Sequence, residues 1–252
     1  MNTPLIEARD LRYAYPDGRE ALRGLSFCIH AGESVAIIGA NGAGKSTLLL
    51  HLNGVLRASA GAVCIAGTPI TEGSLAEVRR SVGLVFQDPD DQLFMPTVLE
   101  DVAFGPRNQG LDEAQGQARV ATALETVAAS HLGQRAPYHL SGGEKRAVAI
   151  AGVLAMDVRV LVLDEPSDGL DPAARRRLIR LLNALAHTKI IATHDLDLVL
   201  DVCTRVLVLG NGSIAADGTP EQIFTDAALL ERCQLEPPLS WQARGPARAQ
   251  GA

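Results

Sequence analysis

The chain has 252 residues, 47% of them hydrophobic and 21% charged, the composition of an ordinary soluble globular protein. That length suffices for one large or two small domains around a well-buried core. The formal net charge of -6 disfavours a nucleic-acid surface, which usually shows as a basic excess.

Leu5 to Val35 alternates apolar and polar residues, the pattern of an antiparallel β layer. The opening MNTPLIEARD has neither the basic start nor the apolar core of an export signal. Ser34–Ile38 is short, apolar and β-branched, which predicts a central strand covered on both faces. A helix over Lys45–Val55 follows. From Asp88 to Ala155 strand signals fade, and Glu113 to Leu132, rich in Ala, Gln and Glu, has apolar residues at helical spacing. This predicts a helical subdomain over about 88–157, inserted in a sheet domain. Val160–Leu163 reads as a second buried strand, Ala173–His187 as a helix and Lys189–Thr193 as a third strand. Such alternation predicts an α/β fold with a mainly parallel sheet. Ligands of such sheets sit at the carboxyl ends of the strands, where all three deliver polar residues. The main domain spans 1–235, and the Pro-, Ala-, Arg- and Gly-rich tail 236–252 predicts disorder.

Cys28, Cys64, Cys203 and Cys233 are widely spaced with no C-x-x-C pair, which points to reduced structural thiols. The longest apolar runs, such as Ala147 to Met156, fall short of the roughly 18 residues of a spanning helix. Work at a membrane would require another subunit to hold the chain there.

Gly39-Ala40-Asn41-Gly42-Ala43-Gly44-Lys45-Ser46 fits G-x-x-x-x-G-K-[ST], with a strand before it and a helix after it, as that pattern requires. Its glycines let the backbone form a nest of amide donors around phosphates, and the helix aims its positive end at them. Lys45 supplies a point charge to the β and γ phosphates, and Ser46 can bind Mg2+. Thr47 adds a hydroxyl near the α phosphate. ATP binding with Mg2+ follows from this loop, whereas the use made of the nucleotide does not.

Asp164 and Glu165 end an apolar strand. Asp164 can reach Mg2+ through water, and Glu165 can orient and activate the attacking water. A plain strand-ending turn is the other reading of D-E-P, since turns commonly carry Asp and Pro. His194 closes the third strand and can hydrogen-bond the γ phosphate.

Leu140-Ser-Gly-Gly-Glu144 closely resembles the signature of the ABC (ATP-binding cassette) ATPases and lies upstream of the acidic strand, as it does there. Tyr15, Gln87, Ser167-Asp-Gly-Leu-Asp171 and His194 fall in the same order as in that family. The resemblance runs from about Leu5 to Phe224 and implies a P-loop NTPase with a RecA-like core. It further implies that Tyr15 stacks on adenine, with Tyr13 the second candidate. Gln87 would touch Mg2+ or the water, and Glu165, Gln87 and His194 would be the catalytic set. Ser141, Gly142, Gly143 and Glu144 would close over the nucleotide of a second copy in a head-to-tail dimer. Asp171 would tie the two sites together. Three positions depart from the pattern: Glu144 for Gln, Ala147 where many relatives carry Arg, and Val158 where proline is common.

Phe86-Gln-Asp-Pro-Asp-Asp-Gln-Leu-Phe94, Asp101-Val-Ala-Phe-Gly-Pro106 and the apolar run to Met156 are similar to the energy-coupling-factor importers, most of all the cobalt and nickel systems. The resemblance implies a peripheral position on the cytoplasmic face of the membrane. The partners there would be a transmembrane coupling subunit and a substrate-binding membrane subunit. Asp88, Asp90 and Asp91 offer an acidic surface for the coupling subunit's arginines. Cobalt ranks first as cargo, ahead of nickel and vitamins. A soluble ABC ATPase acting on nucleic acid and a phosphoryl-transfer kinase are the competing readings. The acidic balance and the lack of coiled-coil or zinc insertions count against the first, and Leu140–Glu144 with Glu165 against the second.

Overall fold

The computed structural model describes residues 3–242. β1 (Ile6–Ala14) and β2 (Glu20–Ile29) pair antiparallel, with Ile6 opposite Ile29. β3 (Ser34–Ile38) then enters a second sheet and feeds α1 (Lys45–Leu52). β4 (Ala60–Ile65) and β5 (Thr68–Pro69) complete the antiparallel layer in the order β2-β1-β4-β5. α2 (Leu75–Ser81) leads into β6 (Val82–Val85) and then into the helical subdomain of α3 (Val98–Asn108), α4 (Glu113–Thr126) and α5 (Gly142–Leu154). β7 (Val160–Asp164), α6 (Pro172–Ala184), β8 (Thr188–Ala192), α7 (Leu196–Val202), β9 (Arg205–Gly210) and β10 (Ser213–Gly218) return to the main sheet. α8 (Pro220–Thr225), α9 (Ala227–Arg232) and α10 (Leu239–Gln242) follow.

The six-stranded sheet runs β10-β9-β3-β8-β7-β6, parallel except for β10. Every residue of β3, β6, β7 and β8 is buried, because helices cover one face and the antiparallel layer with α1 covers the other. Register decides where the chemistry falls. Ala192 pairs with both Ile37 of β3 and Asp164 of β7, so three strands end at one level.

α5 is the wall between two cores. Ala149, Ile150 and Val153 pack toward the sheet, while Val148, Ala151 and Ala155 pack against α3 and α4. Both sets recur at three- and four-residue spacing on opposite faces of the helix. Val148 and Ile150 are fully buried, each contributing roughly 1.5–3 kcal/mol.

Element ends differ from the pattern where backbone geometry intervenes. The first helix stops at Leu52, ahead of Gly54 at φ 69°. The long helix stops at Thr126, because Ala128 adopts φ 56°, and a separate 3-10 turn covers Ser130–Leu132. The third strand begins one residue early, at Thr188. Among the described residues no helix is long and apolar enough to cross a membrane. All four cysteines are free, and burial pushes the Cys203 thiol up to about 12, far from a reactive thiolate at neutral pH.

The expectation of a disordered tail from residue 236 does not hold over 236–242, and the rest of that tail lies outside the described residues. Pro238 accepts from the amides of Trp241 and Gln242, forming α10. Trp241 packs edge-on against Phe224 at 6.1 Å, so apolar contact outweighs the local composition. Trp241 is the single tryptophan of the chain, so its emission reads this packing directly. We expect a native maximum to the blue of the denatured one, and a further red shift in Phe224→Ala. A native maximum equal to the denatured one would contradict the docking.

Candidate active site

The loop after β3 needs glycine at named places. Gly39 has φ 158°, and a Cβ there would meet the Leu209 carbonyl at 2.4 Å. Gly44 has φ 104°, and its Cβ would stand 2.7 Å from the Ala21 carbonyl. The chain therefore wraps tightly between β9 and β2, and the first amides of α1 face the loop. Lys45 is buried, its Nζ donating to the carbonyls of Gly39 at 2.8 Å and Ala40 at 3.4 Å. Asn41, Gly42 and Ser46 are exposed along the mouth, Ala43 is buried beneath it, and Thr47 lies behind Ser46.

Level register brings Asp164 and Glu165 beside this loop. Asp164 is buried and its Oδ1 has no hydrogen-bond partner. Burial pushes its carboxyl above the usual carboxylate range, while the Ser46 hydroxyl pulls the other way. Glu165 adopts φ 43°, a left-handed turn costing about 1–3 kcal/mol in a non-glycine residue. The turn aims its carboxylate at His194, whose backbone amide donates to Oε2 at 3.0 Å and whose Nδ1 lies 2.8 Å from it. With Nδ1–H donated to the carboxylate, the His194 Nε2 is left to face outward.

A cleft of about 540 Å³ gathers these groups, and it is lined by Tyr15, Lys45, Ser46, Gln87, Glu165 and His194 among others. Tyr15 donates or accepts through its hydroxyl with Thr47 Oγ1 at 2.9 Å, and Arg19 lies 4.9 Å from its ring centroid. Tyr13 turns away and packs on the buried His51 at 4.8 Å. Gln87 stands at the cleft's edge with Nε2 donating to Asp168 Oδ2 at 3.2 Å.

Ser141, Gly142, Gly143 and Glu144 do not line this cleft. They begin α5 on another face, where Ser141 and Glu144 form a capping box. The Ser141 amide and hydroxyl each donate to Glu144 Oε2 at 2.8 Å. These bonds, the backbone amide's first, hold the Glu144 carboxyl below its usual range. A glutamate thus suits the box where a glutamine is usual. Asp171 is exposed and caps α6, accepting from Ala173 and Ala174 at 2.8 Å each.

Residue patterns missed several contacts around the site. Asp90 is not free, since Lys145 pairs with it at 2.6 Å. Asp88 Oδ1 accepts from the Asp90 amide at 2.9 Å. Asp168 is the partner of Gln87, and Arg146 is buried against the backbone of Phe86 and Gln87. A lone arginine beside an apolar helical face was the available signal for the last.

A glycine loop between a parallel strand and a helix, with an acidic strand end beside it, defines a P-loop nucleoside triphosphatase. The family model described as ABC transporter matches residues 22–168. The energy-coupling factor transporter ATP-binding protein EcfA of Methanothermobacter thermautotrophicus is 52% identical over 93% of this chain and 77% of its own length. The structure of cbiO1 from Clostridium perfringens, part of the ABC transporter complex cbiONQ, aligns with a TM-score of 0.81 and 40% identity. It covers 91% of this chain and 94% of that one. A dimeric ATP-binding cassette in a post-hydrolysis state, bound to ADP and Pi, aligns at TM-score 0.77 and 25% identity over 85% of this chain and 98% of that one. The chain belongs to the ABC transporter family of ATP-binding proteins, and as such it binds and hydrolyses ATP.

Gly44→Ala tests the loop geometry. The left-handed strain and the contact with Ala21 should lower ATP affinity by roughly tenfold or more, read with a fluorescent ATP analogue. Affinity equal to wild type would contradict the packing described.

Proposed function

We propose that this chain is the ATP-hydrolysing subunit of an energy-coupling-factor importer, driving uptake of a divalent metal ion, cobalt first. One observation carries the motor reading: the phosphate loop and Glu165 share a cleft that the Ser141–Glu144 signature does not enter. A site with its signature elsewhere is completed by a second copy, head to tail, with two ATP molecules between subunits. The dimeric cassette similar to this chain supports that arrangement.

Within each half, Gly39 to Lys45 hold the phosphates, Thr47 reaches toward the α phosphate and Tyr15 stacks on adenine. The oxygen set fits Mg2+, because Ser46, Asp164 and Gln87 offer hard oxygen ligands and Asp164 Oδ1 is buried without a partner. Mg2+ bound there with ATP would neutralise charge on the β and γ phosphates. Glu165 accepts the proton of the attacking water. Its carboxylate is already oriented by two donors of His194, so little reorganisation is needed. The outward Nε2 of His194 meets the γ phosphate, and Gln87 swings from Asp168 toward the metal or the water. Ser141, Gly142, Gly143 and Glu144 close over the partner copy's γ phosphate, and Asp171 ties the two halves.

The membrane coupling subunit docks over the outer side of residues 88–91, beside the groove that Ser46, Gln87 and Asp164 line. Asp88 and Asp91 stand exposed at the rim of that groove. Basic groups on the partner complement that rim. The exposed pair Phe94 and Phe104, packed edge to face with centroids 5.0 Å apart, extends the contact. The chain then sits peripherally on the cytoplasmic face, held by its membrane partners. The cobalt assignment draws on the segments quoted from the sequence, while the likeness to cbiO1, part of an ABC transporter complex, supports the transporter role.

Glu165→Gln tests the mechanism and the transport role together. In cells carrying the membrane partners, the variant should bind ATP, trap the dimer, lose turnover and abolish uptake of labelled cobalt. Full hydrolysis by the variant would remove the role given to Glu165. Uptake of a vitamin instead of cobalt by the wild-type complex would overturn the cargo.

A further inference from the structure

Arg146 is 3% exposed and stands two residues beyond the capping box, on α5. Its Nη1 donates to the Phe86 carbonyl and its Nη2 to the Gln87 carbonyl, both at 2.6 Å. A planar fork matched to two successive carbonyls fixes the place and the tilt of that peptide, which a lysine ammonium cannot do. Flanking contacts join the same two elements. Lys145 pairs with Asp90 at 2.6 Å, and Gln92 Nε2 donates to the Ala149 carbonyl at 2.9 Å. Gln92 Oε1 in turn accepts from the Phe86 amide at 3.3 Å. The segment 86–92 is thus fastened to α5 at three places. The side chain of Gln87, in contrast, makes one 3.2 Å bond, to Asp168 beside the acidic strand.

Ala147 comes next on α5, rotated by about 100°. It lines a groove against α6 that Arg146 also borders.

We infer that Arg146 is a positioning residue for ATP hydrolysis: it locks the Gln87 peptide to the helix that begins at Ser141. A signature helix drawn onto the partner's nucleotide then carries the Gln87 of its own subunit with it. The nucleotide bound across the dimer thereby sets the geometry of the site in the same chain. The inference rests on the ATPase site proposed above, in which Gln87 serves the metal or the water.

A double-mutant cycle tests it on the full-length chain, with kcat, ATP Kd and Tm measured for Arg146→Ala, Arg146→Lys, Gln87→Ala and the pairs. Arg146→Ala should lower kcat roughly 10- to 100-fold through misplacement of Gln87, with Kd within about twofold of wild type. Arg146→Lys should recover part of kcat. In the Gln87→Ala background, Arg146→Ala should cost less than about twofold more, because the two act as one unit. A merely structural role would lower Tm and leave the two kcat losses additive, which overturns the inference. If the alanine variant does not fold, the lysine variant carries the same cycle. Wild-type kcat in Gln87→Ala would overturn the role of Gln87 and the inference with it. A slow Gln87→Ala with additive losses would overturn Arg146 alone.

Discussion

The parallel pairing of β3 with β8 and of β8 with β7 sets the terms for everything chemical in this chain. Ala192 stands opposite Ile37 on one side and Asp164 on the other, so three loops leave the sheet at one height. A slip of one residue in either ladder would turn Asp164 or His194 to the wrong face, because side chains alternate along a strand. Complete burial of these strands enforces the register, since no residue of β3, β7 or β8 can be traded to solvent. The phosphate loop, the acidic pair and His194 are consequences of that pairing.

Two kinds of preorganisation sit on this frame. Backbone geometry supplies the first, through the left-handed glycines of the loop and the strained turn at Glu165. Hydrogen bonding supplies the second, through His194 on Glu165 and the capping box at Ser141. Both act within one chain, and both leave the signature off the nucleotide cleft. The helical subdomain has its own apolar cluster and shares α5 with the main core. Among the described polar contacts, the buried bonds from Arg146 to residues 86 and 87 tie that body to the edge of the cleft.

Much of this was legible in the sequence, for physical reasons. Ser34–Ile38 and Val160–Leu163 read as strands because a strand buried on both faces has to be uniformly apolar. Gly39 to Ser46 was legible because only certain residue types can make that turn. Contacts between distant segments left no such trace. Arg146 meets residues some 60 positions earlier, and an arginine beside an apolar helical face hints at burial without naming its partners. The pairing of Asp90 was hidden likewise, because Lys145 arrives from another helix to meet it. The tail misled by composition. Pro237 and Pro238 are poor helix formers inside a helix yet suit the start of α10, and Trp241 finds Phe224 across the fold.

In the arrangement we propose, one chain holds half a catalytic site. The most direct measurement is specific ATPase activity against protein concentration, from well below to well above the range where copies associate. Specific activity that rises with concentration and levels off when the dimer dominates is the predicted result. Specific activity that stays constant down to a demonstrably monomeric chain would mean that one copy holds a complete site.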